Sequence, residues 1–215
     1  MRRPARRAFA PVVAAVTAAL LLSACAGKDT AASQSPQDRS APNAKPSAEP
    51  GPGAGSEQAD PAADLARSVP RRVSIPSLGV SSELETLGQN TDGEMTTPEN
   101  PDLAGWYEPG PTPGSRGPAV IAGHVTWNGA DAVFKGLKTM KTGDTIEVAR
   151  EDGKTATFTV DRVEEYPKAK FPTLEVYKNI DHAGLRLITC GGDFDADRHY
   201  YSSNVTVFAS MTGVA

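Results

Sequence analysis

The chain has 215 residues, a formal net charge of −4 and a 39% hydrophobic share, enough for one domain with a core of its own. Four arginines sit in its first seven positions, and without them the remainder carries about −8, a balance that argues against nucleic acid and anionic headgroups as partners. Heptads, long amphipathic helices and internal repeats are absent from the sequence, which excludes coiled-coil and solenoid designs.

The basic start (Arg2, Arg3, Arg6, Arg7) leads into an apolar stretch from Ala8 to Leu22, short for a bilayer-spanning helix. It ends in Leu22-Ser23-Ala24-Cys25, which resembles the lipobox of bacterial lipoproteins. Residues 1–24 then read as a lipoprotein-type signal peptide with Cys25 as the lipidation site; the alternatives are an ordinary signal peptide or a signal anchor. Each of these exports the rest of the chain. Residues 25–69 are rich in Pro, Ala, Ser and Gly, with Leu65 and Val69 their only aliphatic side chains larger than alanine. Such a segment cannot bury enough apolar surface to offset its ordering entropy, so the composition predicts a disordered tether before a domain at 70–215.

Within that domain the periodicity is that of strands. Arg72–Pro76 opens it, Glu83–Leu87 alternates at period two, and a turn signal comes next at Asn90-Thr91-Asp92-Gly93. Residues 108–118 hold four prolines and three glycines and predict a rigid loop. Pro118–Ala122 is continuously apolar, as in a strand buried on both faces. Ala130–Leu137 reads as one short helix with Val133, Phe134 and Leu137 on one side. Thr145–Val148 and Ala156–Val160 alternate about Glu151-Asp152-Gly153, a hairpin signal that continues towards Tyr166. Runs at 185–190 and 204–209 close the domain. Seven or eight short strands with one or two short helices predict an all-β domain, a closed or nearly closed barrel.

Once Cys25 is assigned to the leader, Cys190 is the single thiol of the exported part and has no partner for an internal disulfide. It reads either as a reactive group or as a buried inert thiol. A reactive cysteine needs a neighbouring base or cation, because the free thiol is largely protonated at neutral pH. Three histidines are available. His124 ends an apolar strand, His182 sits in a turn, and His199 lies in a polar loop nine residues after Cys190. Asp193, Asp195 and Asp197 begin like a calcium loop, but Arg198 and Asn204 stand where that loop needs glycine and glutamate.

The order of His124, then Thr189-Cys190, then an arginine before a final Val-x-Val-x-Ala strand resembles the sortases, cysteine transpeptidases of Gram-positive surfaces. The context resembles the actinobacterial class F type, through Gly117–His124, Ala132-Val133-Phe134, Thr142–Thr145, Leu185–Gly192 and Asn204–Ala209. The resemblance implies an eight-stranded sortase-type barrel with a site made of His124, Cys190 and an arginine, and with Thr189 helping to hold substrate. Arg198 is the arginine expected there, as the only one after Cys190, with Arg186 as fallback because it shares strand parity with the cysteine.

By the same resemblance, Cys190 attacks the Thr–Gly carbonyl of a Leu-Pro-x-Thr-Gly-type sorting signal on a surface protein. A cell-wall or protein amine then resolves the thioacyl enzyme, and this chemistry requires no metal or organic cofactor. The place of work would be the outer face of the cell membrane, through the lipid anchor. Two other readings stay open: a thiol peptidase releasing its product to water, and a non-catalytic lipoprotein that binds the wall.

Overall fold

A computed structural model describes residues 64–215. The signal peptide, Cys25 and the tether up to residue 63 lie outside the described residues. Eight strands close into a barrel: β1 (Pro70–Ile75), β2 (Val80–Leu87), β3 (Ala104–Tyr107), β4 (Gly117–Ala122), β7 (Thr145–Arg150), β8 (Thr155–Pro167), β9 (Ala183–Asp195) and β10 (Tyr200–Val214). Around the barrel the order is β1-β2-β3-β4-β9-β10-β8-β7, and β5 (Thr126–Trp127) pairs with β6 (Ala130–Asp131) outside it. The contacts β2–β3 and β4–β9 are parallel and the other neighbours antiparallel, so the barrel is mixed.

The interior is filled by side chains at alternate strand positions, among them Val73, Ile121, Phe158, Leu185, Leu187 and Val207. β4 is buried along its whole length because its outward side is covered too. There Val120 joins Ile188, Phe208 and Val176 in a second apolar cluster. Val176 belongs to α1 (Thr173–Tyr177), a single turn and a half laid on the outside of the sheet. The expected hairpin is β7–β8, with Ala149 opposite Thr155 and the turn closed by the Gly153 amide donating to the Arg150 carbonyl (3.2 Å).

Two stretches depart from expectation. Residues 130–137 form no α-helix: they run through β6 into a 3-10 turn at Leu137–Thr139. The amides of Ala132 and Phe134 donate to the carbonyls of Val125 and His124 (3.2 and 2.9 Å), so these donors are committed across a loop instead of along a helix. Phe134 and Leu137 remain in the core, where the apolar pattern required them. Residues 64–69, which composition assigns to the tether, lie along the barrel. The Leu65 amide donates to the Gly114 carbonyl (2.7 Å), and the Arg67 guanidinium donates to the carbonyls of Glu108 and Gly110 (both 3.0 Å). Arg150, whose side chain is fully buried, donates to the Ala66 carbonyl (2.5 Å) and also to the Pro113 carbonyl.

Candidate active site

The parallel ladder of β4 and β9 brings the two predicted reactive residues together. Ala122 pairs with Ile188, and the Gly123 amide still donates to the Ile188 carbonyl (3.1 Å). His124 follows Ala122 by two residues, as Cys190 follows Ile188, so the ladder delivers both chains to the same end of the β4–β9 pair. The outer face of that pair is shared by Val120 and Ile188. Both His124 and Cys190 border one cavity of ≈ 850 Å³, and the cysteine is half-buried. Apolar walls come from Met95, Tyr107, Phe171 and Tyr177, and from Pro109 and Pro111 of the proline-rich loop.

His124 is held from three directions. Its Nε2–H donates to the Pro98 carbonyl (2.8 Å), its ring packs on Trp127 (centroids 4.8 Å apart), and its own carbonyl accepts from the Phe134 amide. A carbonyl can only accept, so Nε2 carries a proton and Nδ1 is the nitrogen free to take up or release one. Gly123 lets this packing form. A Cβ there would lie 2.7 Å from the Phe134 ring and 2.8 Å from Val133, closer than carbon atoms approach.

Thr189 is buried, and its hydroxyl donates to the Gly123 carbonyl (2.8 Å). That bond ties the residue before the histidine to the residue before the cysteine. Thr189 also lines the cavity, so its expected part in holding substrate remains a proposal beside this strand-to-strand tie.

The predicted arginine is elsewhere. Arg198 lies at the tip of the β9–β10 hairpin, its side chain 81% exposed and paired with Asp195 (3.6 Å). Cys190 faces Asn204 in that ladder, whereas Asp195 faces Tyr200, so Arg198 sits in the turn beyond the last ladder pair and does not border the cavity. Chain order suggested Arg198, but the long hairpin carries it away. Arg186 shares the outer face with Cys190 yet is buried four residues back, over the Phe208 ring (4.7 Å) and donating to the Leu185 carbonyl (3.0 Å). Burial pushes its guanidinium down to about 10.

His182 is exposed beside Asp181 just before β9 begins, eight residues ahead of the thiol, and does not border the cavity. His199 packs edge-on to Phe194 in the hairpin tip (6.5 Å). Sequence reasoning missed Lys168 and Asn204, both of which line the cavity.

Residues 73–212 match the sortase-domain family profile, nearly the whole of the described chain. The chain belongs to the sortase family. As a sortase it is a cysteine transpeptidase, of a family that works on sorting-signal substrates at the extracytoplasmic side of the membrane. This excludes the non-catalytic reading. No curated protein matches the chain in sequence.

Among solved structures it is similar to the pilus-related sortase C of Group B Streptococcus, with 16% identity over 69% of each chain and a TM-score of 0.51. Sortase A of Listeria monocytogenes shares 18% identity over 69% of this chain and 90% of that one, with a TM-score of 0.50. A lid mutant of sortase A from Corynebacterium diphtheriae shares 21% over 68% and 72%, with a TM-score of 0.51. At such identities the likeness is one of fold, and both class A and class C sortases share it.

Proposed function

We propose that this sortase is a class F-like enzyme that cleaves a Leu-Pro-x-Thr-Gly-type sorting signal between Thr and Gly and transfers the acyl group to a cell-wall or protein amine. The observation that carries the reading is the half-buried Cys190 thiol sharing one cavity with His124 beneath apolar walls. An extended Leu-Pro segment suits walls made of tyrosine, phenylalanine and proline, which desolvate apolar side chains without demanding hydrogen bonds.

In the first half-reaction the Cys190 thiolate adds to the threonine carbonyl carbon and the carbonyl π electrons move to oxygen. Collapse of that tetrahedral adduct expels the glycine amine, which takes a proton from His124, and leaves a thioester. In the second half-reaction an incoming amine loses its proton to His124, attacks the thioester and restores the thiolate. Anchoring through lipid on Cys25 would hold the domain at the outer membrane face, with the segment up to residue 63 as tether.

The test incubates the chain with sorting-signal peptides and candidate amines and weighs the products. The reading expects a Cys190-bound acyl adduct and an amide product, with Cys190→Ala and His124→Ala forming neither. Release of free acid with every amine supplied would instead favour the thiol peptidase. Transfer by Cys190→Ala would remove the proposal altogether. For the anchor, radiolabelled palmitate should enter the wild-type chain and not Cys25→Ser, and equal labelling would refute lipidation at that residue.

A further inference from the structure

We infer that Lys168, and not an arginine, is the catalytic cation of this site, with Tyr200 as the residue that positions it. The inference rests on the reading of Cys190 as nucleophile. Three strands carry the argument. In the β9-β10-β8 order, Cys190 faces Asn204 and Asn204 faces Tyr166, so the three form one row across the sheet. The middle position, next to the thiol, carries a neutral amide. Two residues beyond Tyr166, at the end of β8, the chain turns at Lys168–Lys170. The Lys168 stem reaches back across the row, and its ammonium donates to Cys190 Sγ at 3.6 Å.

The same nitrogen lies 4.3 Å from the centroid of the Tyr200 ring, on the far limb of the hairpin. A cation over an aromatic face is attracted by the ring's quadrupole, which restrains an otherwise free lysine side chain.

The other charged groups near the thiol stand differently. His124 borders the same cavity and is held by Pro98 and Trp127. Lys135 and Lys138 line a separate recess of ≈ 100 Å³ that also touches Cys190, and Lys135 is paired with Asp131 (2.9 Å). The Glu165 carboxyl carbon lies near Gly191, 3.7 Å from where a Cβ would stand. Among the described residues, Lys168 is the one cation at hydrogen-bond distance from the sulfur.

A fixed ammonium beside the sulfur stabilises the thiolate before attack. When the C–S bond forms, the sulfur's charge passes to the former carbonyl oxygen, and a donor 3.6 Å from the sulfur would then serve that oxygen in the tetrahedral adduct. Lysine does this as a compact point charge, without the planar fork through which an arginine would also bind substrate backbone.

The test measures two things on the full chain and on its variants: the rate at which iodoacetamide alkylates Cys190, read by peptide mass mapping, and acyl transfer from a sorting-signal peptide. Lys168→Ala is expected to slow alkylation several-fold at pH 7, because the donor to the sulfur is gone. Acyl transfer should fall by roughly 10²–10³-fold, as for the loss of a donor to a developing oxyanion. Lys168→Arg should recover most of both, because it keeps the charge.

Tyr200→Leu should slow neutral alkylation in the direction of Lys168→Ala, and Tyr200→Phe, which keeps the ring face, should rescue that defect. Arg198→Ala should retain full transfer. Wild-type alkylation and transfer in Lys168→Ala would overturn the inference, as would loss of transfer in Arg198→Ala. A neutral-pH alkylation defect in Lys168→Ala, with no peptide transferred even by wild type, would support the Lys168–Cys190 coupling while removing the proposed substrate.

Discussion

Thr189→Val tests the strand-to-strand tie beneath the site. The substitution keeps the β-branched shape of a residue that is 4% exposed and deletes the hydroxyl that donates to the Gly123 carbonyl at 2.8 Å. That leaves a buried carbonyl without its donor, at a cost of about 1–3 kcal/mol. For a domain of this size each kcal/mol moves the melting midpoint by about 2–4 °C, so Tm should fall by roughly 2–12 °C. Activity should fall as well, because Gly123 precedes His124, and a shift of about 1 Å between reacting groups can cost 10²-fold in rate.

Thermal melts followed by circular dichroism, with steady-state transfer kinetics, read both effects. The loss should appear in kcat more than in KM, and Thr189→Ser should restore both. A Tm within about 1 °C of wild type together with a raised KM would refute the reasoning, since the hydroxyl would then be meeting substrate and not the strand.

Two further outcomes are set by the geometry. Gly123→Ala forces a methyl into Phe134 and Val133, at an overpacking cost of about 1–3 kcal/mol, and a urea midpoint equal to wild type would contradict the contact distances. Asp152, beside the buried Arg150 guanidinium, is held below the ordinary carboxylate range chiefly by that hydrogen bond. A depressed folded value gives stabilisation that is present above the unfolded value, near 3.9, and is lost as pH falls through the folded one. Asp152→Asn should therefore be less stable at pH 7 and should flatten the acid limb below about pH 4. Urea midpoints at several pH values check this, and parallel curves for the two proteins would refute it.

Strands whose burial pattern is set locally were legible in the sequence. β7 and β8 alternate about a glycine turn, and β4 reads as continuously apolar because the core and the α1 cluster bury its two faces. The short β3 was not legible: Ala104–Tyr107 lies between prolines and is a strand because β2 and β4 flank it. α1 is likewise too short to show a period, and its place is set by Val176 entering the outer cluster. The false helix at 130–137 kept the right apolar residues and lost its backbone pattern to the carbonyls of Val125 and His124.

In the site, His124 and Cys190 could be named because each ends an apolar run. The cation could not, because its position depends on a ladder register. Arg198 follows Cys190 closely in sequence, but the hairpin carries it out to the tip, whereas Lys168, 22 residues before the cysteine, returns to it across two strands.

The strap formed by residues 64–69 sets where a recombinant domain can begin. Arg67 and Leu65 hold the carbonyls of Glu108, Gly110 and Gly114, and the Ser68 amide donates to the Thr112 hydroxyl (3.3 Å). The loop they hold supplies Pro109 and Pro111 to the cavity wall. Any load transmitted along the upstream chain therefore meets this brace before it reaches the first barrel strand. A protein trimmed to Pro70 would retain every strand and still lose the buttress behind one side of its substrate cleft.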